Sequence, residues 1–118
     1  MFELGFWGLL FWLLVAHAFC DFPLQSDWMV KSKSRHYRQP RRFSMRPDLI
    51  WVHVLTGHAL IHGGAVALIT GQIWLGLLET LAHWLTDYGK SEDWYGFHTD
   101  QIIHIGCKVL WAVLWLIS

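Results

Sequence analysis

The 118-residue chain is poor in cysteine, proline and charge, with two Cys, three Pro and only 15% Asp, Glu, Lys and Arg. Cys20 and Cys107 lie within or beside apolar stretches, so they offer neither a disulfide framework nor a CxxC zinc site. So few charges cannot cover the surface of a soluble domain of this size. The composition also excludes a secreted mini-protein, a coiled coil and, for most of the chain, a nucleic-acid groove.

Apolar residues fill the chain instead, at 54% hydrophobic and 16% aromatic, with nine Trp. Most of the Trp lie near the ends of apolar runs, where an indole ring prefers the headgroup region of a bilayer. Four runs approach the length that crosses hydrocarbon at about 1.5 Å per residue. The sequence therefore predicts an all-α fold: a single membrane domain over residues 1–118, with four transmembrane helices at about 4–20, 49–70, 73–87 and 102–117.

Positive charge is concentrated in one loop, because seven of the nine Lys and Arg fall within residues 31–46. The connection Gly71-Gln72 carries no charge at all. By the positive-inside rule we expect the basic loop to be cytoplasmic and, with an even number of spans, both termini to lie on the opposite side. This predicts a multi-pass protein of the bacterial inner membrane.

Histidine is the most informative residue type, because seven of the eight His lie in or beside the apolar segments. Polar pairs spaced four residues apart occur in every predicted helix: His17 and Asp21, His58 and His62, His83 and Asp87, and Asp100 and His104. Residues four apart share a helix face, and the predicted topology places all four pairs near the cytoplasmic side. Imidazole and carboxylate are costly in hydrocarbon unless they pair, face water or bind a cation. We therefore expect one shared polar site, with purely structural hydrogen bonding as the alternative.

A divalent metal ion, Zn or Mn, fits this combination of imidazole and carboxylate groups. The predicted ligands are His17, Asp21, His58, His83, Asp87, Asp100 and His104. The carboxylates Asp21, Asp87 and Asp100 are also the candidate catalytic groups, since one of them could take a proton from metal-bound water. His53 and His62 are disfavoured as ligands, because His53 lies about 140° round the helix from His58 and His62 lies deep in the bilayer.

Two further features extend the predicted site. Glu79 and Lys108 each continue a polar stripe one helical turn deeper, so antiparallel packing of the last two helices would make them a buried ion pair. Pro23 ends the first helix and would place Gln25 and Asp27 at the mouth of the site.

A family resemblance covers nearly the whole chain. It rests on His17-Ala-Phe-Cys-Asp21-Phe-Pro-Leu-Gln25-Ser-Asp27-Trp-Met, then His58 and His62, His83-Trp-Leu-Thr-Asp87-Tyr-Gly-Lys90 and Asp100-Gln101-x-x-His104. These motifs resemble a small family of bacterial and phage membrane proteins known only as a domain of unknown function. The resemblance implies that these positions matter and assigns no activity. His83-x-x-x-Asp87 is also similar to the His/Asp helices of the LexA-regulated, membrane-bound metal-dependent hydrolases, whose His-Arg-Gly-x-Thr-His segment is absent here.

The leading functional hypothesis is a membrane-embedded, metal-dependent hydrolase that acts on a lipid or phosphoester at the cytoplasmic interface. One alternative is a transport or channel subunit that relays protons or divalent cations. Another is a non-catalytic membrane subunit. The expected partners are the lipid bilayer, a lipid or phosphoester substrate, and further copies of the chain or a larger membrane complex; nucleic acid is not expected.

Overall fold

The computed structural model describes residues 5–39 and 47–118, and all regular elements within these ranges are helices. The helices are α1 (Phe6–Asp21), α2 (Asp27–Ser32), α3 (Pro47–Thr70), α4 (Ile73–Ser91) and α5 (Phe97–Ile117). The all-α class is thus confirmed. Residue 4, the predicted start of the first helix, and Arg41, Arg42 and Arg46 of the predicted basic loop lie outside the described residues.

The bounds of two helices differ from the sequence prediction, because each helix extends beyond the apolar run from which it was predicted. Helix α4 continues four residues past Asp87 and gives way to a turn in which Asp93 has a φ of 60°. Helix α5 begins at Phe97, five residues before its apolar run, and so holds Asp100 in its first turn, where a negative charge is favourable. The short helix α2 overlaps the start of the predicted loop and is capped by Ser26, whose Oγ accepts from the Met29 N–H at 3.2 Å.

Helices α3 and α4 form an antiparallel hairpin across the Gly71-Gln72 connection, in which Gly71 adopts a φ of 70°. Helix α1 packs on α3 and α5, α4 packs on α5, and α2 lies against α3. The two hairpin helices approach most closely at Gly63 and Gly76, where a Cβ on either glycine would lie 2.6 Å from the other's carbonyl oxygen. Small residues are what such a close approach requires.

The bundle interior is divided along its length into an apolar half and a polar half. The apolar core consists of Leu9, Leu13, Val66, Leu75, Trp111 and Ala112. These residues come from the start of α1 and α4 and from the end of α3 and α5. The opposite ends of α1, α4 and α5 and the middle of α3 carry the His and Asp pairs, so all four pairs meet in one layer.

The exterior of the bundle is apolar while much of its interior is polar. Large hydrophobic side chains such as Trp7 (77% exposed) and Leu68 (76%) point outward, whereas Lys108 is 1% exposed. Two segments, Leu49–Thr70 and Phe97–Ile117, are long and apolar enough to cross a membrane, and α1 is a shorter apolar helix. This inverted distribution is what a lipid-facing surface requires.

The close approach of the hairpin predicts the effect of a single added methyl group. Gly63→Ala should force α3 and α4 apart and cost about 1–3 kcal/mol, as overpacking typically does. Gly64→Ala is the matched control, because a Cβ there meets nothing within 4 Å. Thermal unfolding in detergent would measure both variants, and equal melting temperatures for the two would contradict this packing.

Candidate metal centre

The polar layer contains all seven predicted site residues and one more. All eight are at most 8% exposed: His17, Asp21, His58, His62, His83, Asp87, Asp100 and His104. They come from the last turns of α1, from the second half of α4, from the middle of α3 and from the start of α5. The four-residue spacing therefore does bring the side chains of four helices to one depth.

Three imidazoles converge on one oxygen of Asp21. From Asp21 Oδ1, His62 Nε2 lies at 2.9 Å, His58 Nε2 at 3.2 Å and His83 Nε2 at 3.8 Å. The Nε2 atoms of His58 and His83 are themselves 3.2 Å apart. Ligand atoms in a tetrahedral zinc site, at about 2.0–2.1 Å from the metal, are separated from each other by about 3.3 Å. The spacing of these four side chains is thus already close to that of a metal site.

The tautomer of His83 is determined by Glu79, one turn earlier on α4. His83 Nδ1 lies 3.1 Å from Glu79 Oε1, and because a carboxylate only accepts, Nδ1 must carry the proton. Neutral His83 therefore presents the Nε2 lone pair to the centre of the layer. A carboxylate that orients the outer nitrogen of an imidazole is the usual support of a metal-binding histidine.

Glu79 is in turn fixed by two donors from α5. Lys108 Nζ donates to Glu79 Oε1 at 2.6 Å and Trp111 Nε1 donates to Oε2 at 2.5 Å. The predicted buried pair between Glu79 and Lys108 is confirmed, since both side chains are 1% exposed. The pair thus also has a positioning role toward His83, which the sequence alone did not indicate.

The other side of the layer is built around Asp87. Its Oδ1 lies 2.9 Å from His104 Nε2 and its Oδ2 accepts from Lys33 Nζ at 2.9 Å. Asp100 Oδ1 lies 3.3 Å from the same nitrogen of His104. His83, Asp87 and His104 form a second group of closely spaced ligand atoms.

His17 lies at the edge of the layer and belongs to neither group. Its Nε2 is 3.1 Å from Gln101 Oε1 and 3.4 Å from Asp21 Oδ2, the oxygen that faces away from His58, His62 and His83. Gln101 Nε2 donates to that same Asp21 oxygen at 2.9 Å. In this arrangement His17 and Gln101 orient Asp21.

His62, disfavoured as a ligand because of its depth, lies within the polar layer beside Asp21. His62 Nε2 makes the shortest imidazole contact to Asp21, and the His62 and His83 rings stack at 3.7 Å. A side chain on the last turn of α1 reaches residues on two successive turns of α3, so the site is thicker than one helical turn. His53 is exposed and lies outside the layer, in agreement with the prediction.

A cavity of about 350 Å³ adjoins the polar layer. Its polar lining is Asp21, Gln25, Lys33, Asp87, Lys90, Asp100 and Gln101, and Phe22, Val30 and Phe97 supply the apolar part. Gln25 is thus at the mouth, as predicted. Asp27 is an exposed residue in the first turn of α2 and does not line the cavity.

The segment after α2 is attached to the end of α4 by a polar clamp. Arg35 Nε and His36 Nε2 contact the two carboxylate oxygens of Glu92, the latter at 2.6 Å. The Arg35 guanidinium, followed by His36, lowers the pKa of Glu92 to about 2. This clamp holds the segment that carries Lys33 against the cavity.

The fold and the site define an all-helical protein with a buried His/Asp centre inside an apolar-surfaced bundle. The chain belongs to the family described as "Protein of unknown function (DUF3307)", which matches residues 9–118. This confirms the resemblance to a domain of unknown function. No curated protein and no solved structure matches the chain.

The Glu79 network predicts a graded response to substitution. Lys108→Met alone leaves a buried carboxylate uncompensated and should cost about 3–5 kcal/mol. The double variant Glu79→Gln with Lys108→Met should lose much less, because the amide oxygen still accepts from His83 or Trp111. Replacing both residues with Leu should be intermediate, since each donor left unpaired costs about 1–3 kcal/mol. Melting curves in detergent in which the double variant loses the sum of the losses of Glu79→Gln alone and Lys108→Met alone would contradict the coupling.

The clamp on Glu92 predicts a local change without global unfolding. Because the folded-state pKa is about 2 and lies below the ordinary value of 4.5, the contribution of the clamp is full above roughly pH 4.5 and is lost as the pH falls toward 2. At neutral pH, Glu92→Gln should raise hydrogen exchange in residues 27–38 severalfold. Asp93→Asn, at an exposed neighbouring position, should leave the exchange unchanged. Equal exchange in both variants would show that the clamp does not hold this segment.

Proposed function

We propose that the protein is a membrane-embedded, metal-dependent hydrolase whose cation is bound by Asp21, His58, His62 and His83. The observation that carries this proposal is that one ligand atom from each of these four residues lies within 4.8 Å of the others. The orientation of His83 by Glu79 supports it, because a neutral His83 turns a free lone pair toward the oxygens of Asp21 and Asp87. A cation at this point replaces that repulsion with coordination.

The charges of the layer also favour a divalent cation. The buried charged groups are the carboxylates Asp21, Glu79, Asp87 and Asp100 and the ammonium groups of Lys33 and Lys108. With every imidazole neutral, two negative charges remain without a counter-charge, and with a proton on His104, whose Nε2 lies 2.9 Å from Asp87 Oδ1, one remains. Isolated charge in a low-dielectric interior is costly, and one divalent ion balances the excess. Imidazole and carboxylate ligands suit Zn or Mn.

A bilayer is the proposed environment, with all four long helices crossing it. The apolar exterior extends over α1 and α4 as well as over the two segments long enough to span. Helix α1 has 16 residues and is about 24 Å long, which is shorter than the hydrocarbon core of about 30 Å. It would therefore span a locally thinned bilayer or leave one of its ends in the interface. In this proposal the basic segment after α2 is on the cytoplasmic side of the bacterial inner membrane and both termini lie opposite.

Hydrolysis is the chemistry that this site and its cavity favour. A bound divalent ion lowers the pKa of water toward neutrality and so supplies a nucleophile. With Asp21 as a ligand, Asp87 and Asp100 are the carboxylates left beside the cavity to accept a proton. Lys33 and Lys90 add positive charge for a phosphate group, while Phe22 and Phe97 offer apolar contact. The proposed substrate is therefore a lipid or another phosphoester.

The transport alternative is less well supported by the interior of the bundle. Beyond the polar layer the helices are filled by the apolar core, in which Leu9, Leu13 and Leu75 are at most 1% exposed. An ion or proton would have to pass this packed half to reach the opposite side. The cavity opens on the polar half alone in the part of the chain that the structure describes.

Metal content tests the proposal directly. The protein purified in detergent should retain about one equivalent of a divalent metal, which His62→Ala and His83→Ala should each reduce severely. His53→Ala is the matched control, since this exposed residue lies on the same helix as His62 and outside the layer. Absence of metal from the wild-type protein, or equal loss in the His53 variant, would contradict the proposed ligand set.

Activity separates the hydrolase from the remaining alternatives. The metal-loaded protein should release inorganic phosphate from phosphatidic acid in mixed micelles or from p-nitrophenyl phosphate, and His83→Ala should not. Flux of Mn²⁺ into proteoliposomes without phosphate release would favour transport and overturn the hydrolase. Metal retention with neither activity would favour a structural role.

A further inference from the structure

We propose a second divalent-cation site on the cavity side of the layer, formed by His104 Nε2, Asp87 Oδ1 and Asp100 Oδ1. Asp87 would bridge this cation and the one held by Asp21, His58, His62 and His83. The inference rests on the proposed function for its first cation and adds a separate site to it.

Asp87 carries the argument because its two oxygens face different sets of ligands. Oδ2 lies 3.4 Å from His58 Nε2 and 3.5 Å from His83 Nε2, which belong to the first set. Oδ1 points the other way, to His104 Nε2 at 2.9 Å. A carboxylate between two ligand sets is suited to hold two cations about 3.5–4 Å apart, as in two-metal hydrolytic sites.

Asp100 supplies a second, independent observation. The residue is 1% exposed and lines the cavity, yet its Oδ1 has no hydrogen-bond partner among the described residues. Its other oxygen accepts from Gln101 Nε2 at 3.3 Å. Apart from the 3.3 Å ion-pair contact with His104 Nε2, Asp100 Oδ1 is unsatisfied within the part of the chain that the structure describes. A buried carboxylate oxygen without a hydrogen bond is costly unless something absent from the protein itself satisfies it. A cation beside His104 would do so.

His104 is placed to bind the same cation. Its Nε2 lies 2.9 Å from Asp87 Oδ1 and 3.3 Å from Asp100 Oδ1. The ring stacks on His83 at 4.0 Å, so its orientation is fixed by a residue of the first set. Two carboxylate oxygens and one imidazole favour a harder ion than the first site does, such as Mn²⁺. In this doubly loaded state Asp87 and Asp100 would both be ligands, so neither would accept a proton, and the proton of the metal-bound water would leave to solvent through the cavity.

Lys33 makes the second site conditional. Its ammonium group is 7% exposed and donates to Asp87 Oδ2 at 2.9 Å, the oxygen that faces the first set of ligands. Lys33 therefore already supplies, at that oxygen, the positive charge that a cation bridged by Asp87 would otherwise supply. One divalent ion balances the layer, and a second would add positive charge unless Lys33 withdraws or an anion binds with it. We therefore expect the second cation to bind more weakly than the first and to be strengthened by inorganic phosphate.

Titration with Mn²⁺ tests the inference by counting sites. Equilibrium dialysis of the purified, full-length protein in detergent should saturate at two Mn²⁺ per chain, and Asp100→Asn should saturate at one. Lys33→Met removes the competing charge and should tighten the weaker site roughly tenfold or more. Lys31→Met, at an exposed position on α2, is the matched control and should leave both sites unchanged. The electron paramagnetic resonance spectrum of the doubly loaded protein should show an exchange-coupled pair.

The outcomes distinguish the two proposals. Saturation at one Mn²⁺ in the wild-type protein would overturn the second site and leave the proposed function intact. Binding of none would overturn both. The bridged pair would also be overturned if Asp100→Asn still bound two Mn²⁺ per chain. Weaker binding of the second Mn²⁺ in Lys33→Met would overturn it as well. Melting curves of each variant verify that it is folded, and Asp100→Asn keeps the shape of the side chain it replaces.

Discussion

The hydrogen bond between Glu79 and His83 is the interaction on which the rest of the site depends. It requires a proton on Nδ1 and directs Nε2 toward Asp21, His58 and Asp87. Glu79 can serve this purpose because Lys108 and Trp111 hold both of its oxygens in the interior. The deepest ion pair of the bundle thus determines the chemistry of the layer above it.

Burial of so many ionisable groups imposes the arrangement of the bundle. In helices whose outward faces are apolar, every carboxylate and imidazole must point inward and find a partner, so the polar parts of the four helices have to meet. The apolar core at the other end of the same helices sets their spacing, and the close contact at Gly63 and Gly76 fixes the register of α3 against α4. A small change at this contact would therefore move His58 and His62 relative to His83.

The sequence predicted the helical class and most of the layer, because both depend on local spacing. His83 and Asp87 must share a face of α4, and apolar runs fix the approximate depth of each pair. The place of His62 beside Asp21 was not predicted, because its depth was counted along its own helix, whereas its distance to Asp21 depends on how α1 crosses α3. The contact of Lys33 with Asp87 could not be predicted either. In the sequence, a lysine in a basic loop is the same whether it faces solvent or contacts a residue 54 positions further along the chain.

X-ray absorption at the edge of the bound metal tests the central claim most directly, because it reports the ligands of the ion itself. The first shell should contain three imidazole nitrogens and at least one carboxylate oxygen at about 2.0–2.2 Å. In His62→Ala, any metal that remains should show one imidazole fewer, and His53→Ala should match the wild-type spectrum. A shell of oxygen alone, or an unchanged imidazole count in His62→Ala, would contradict the site formed by Asp21, His58, His62 and His83.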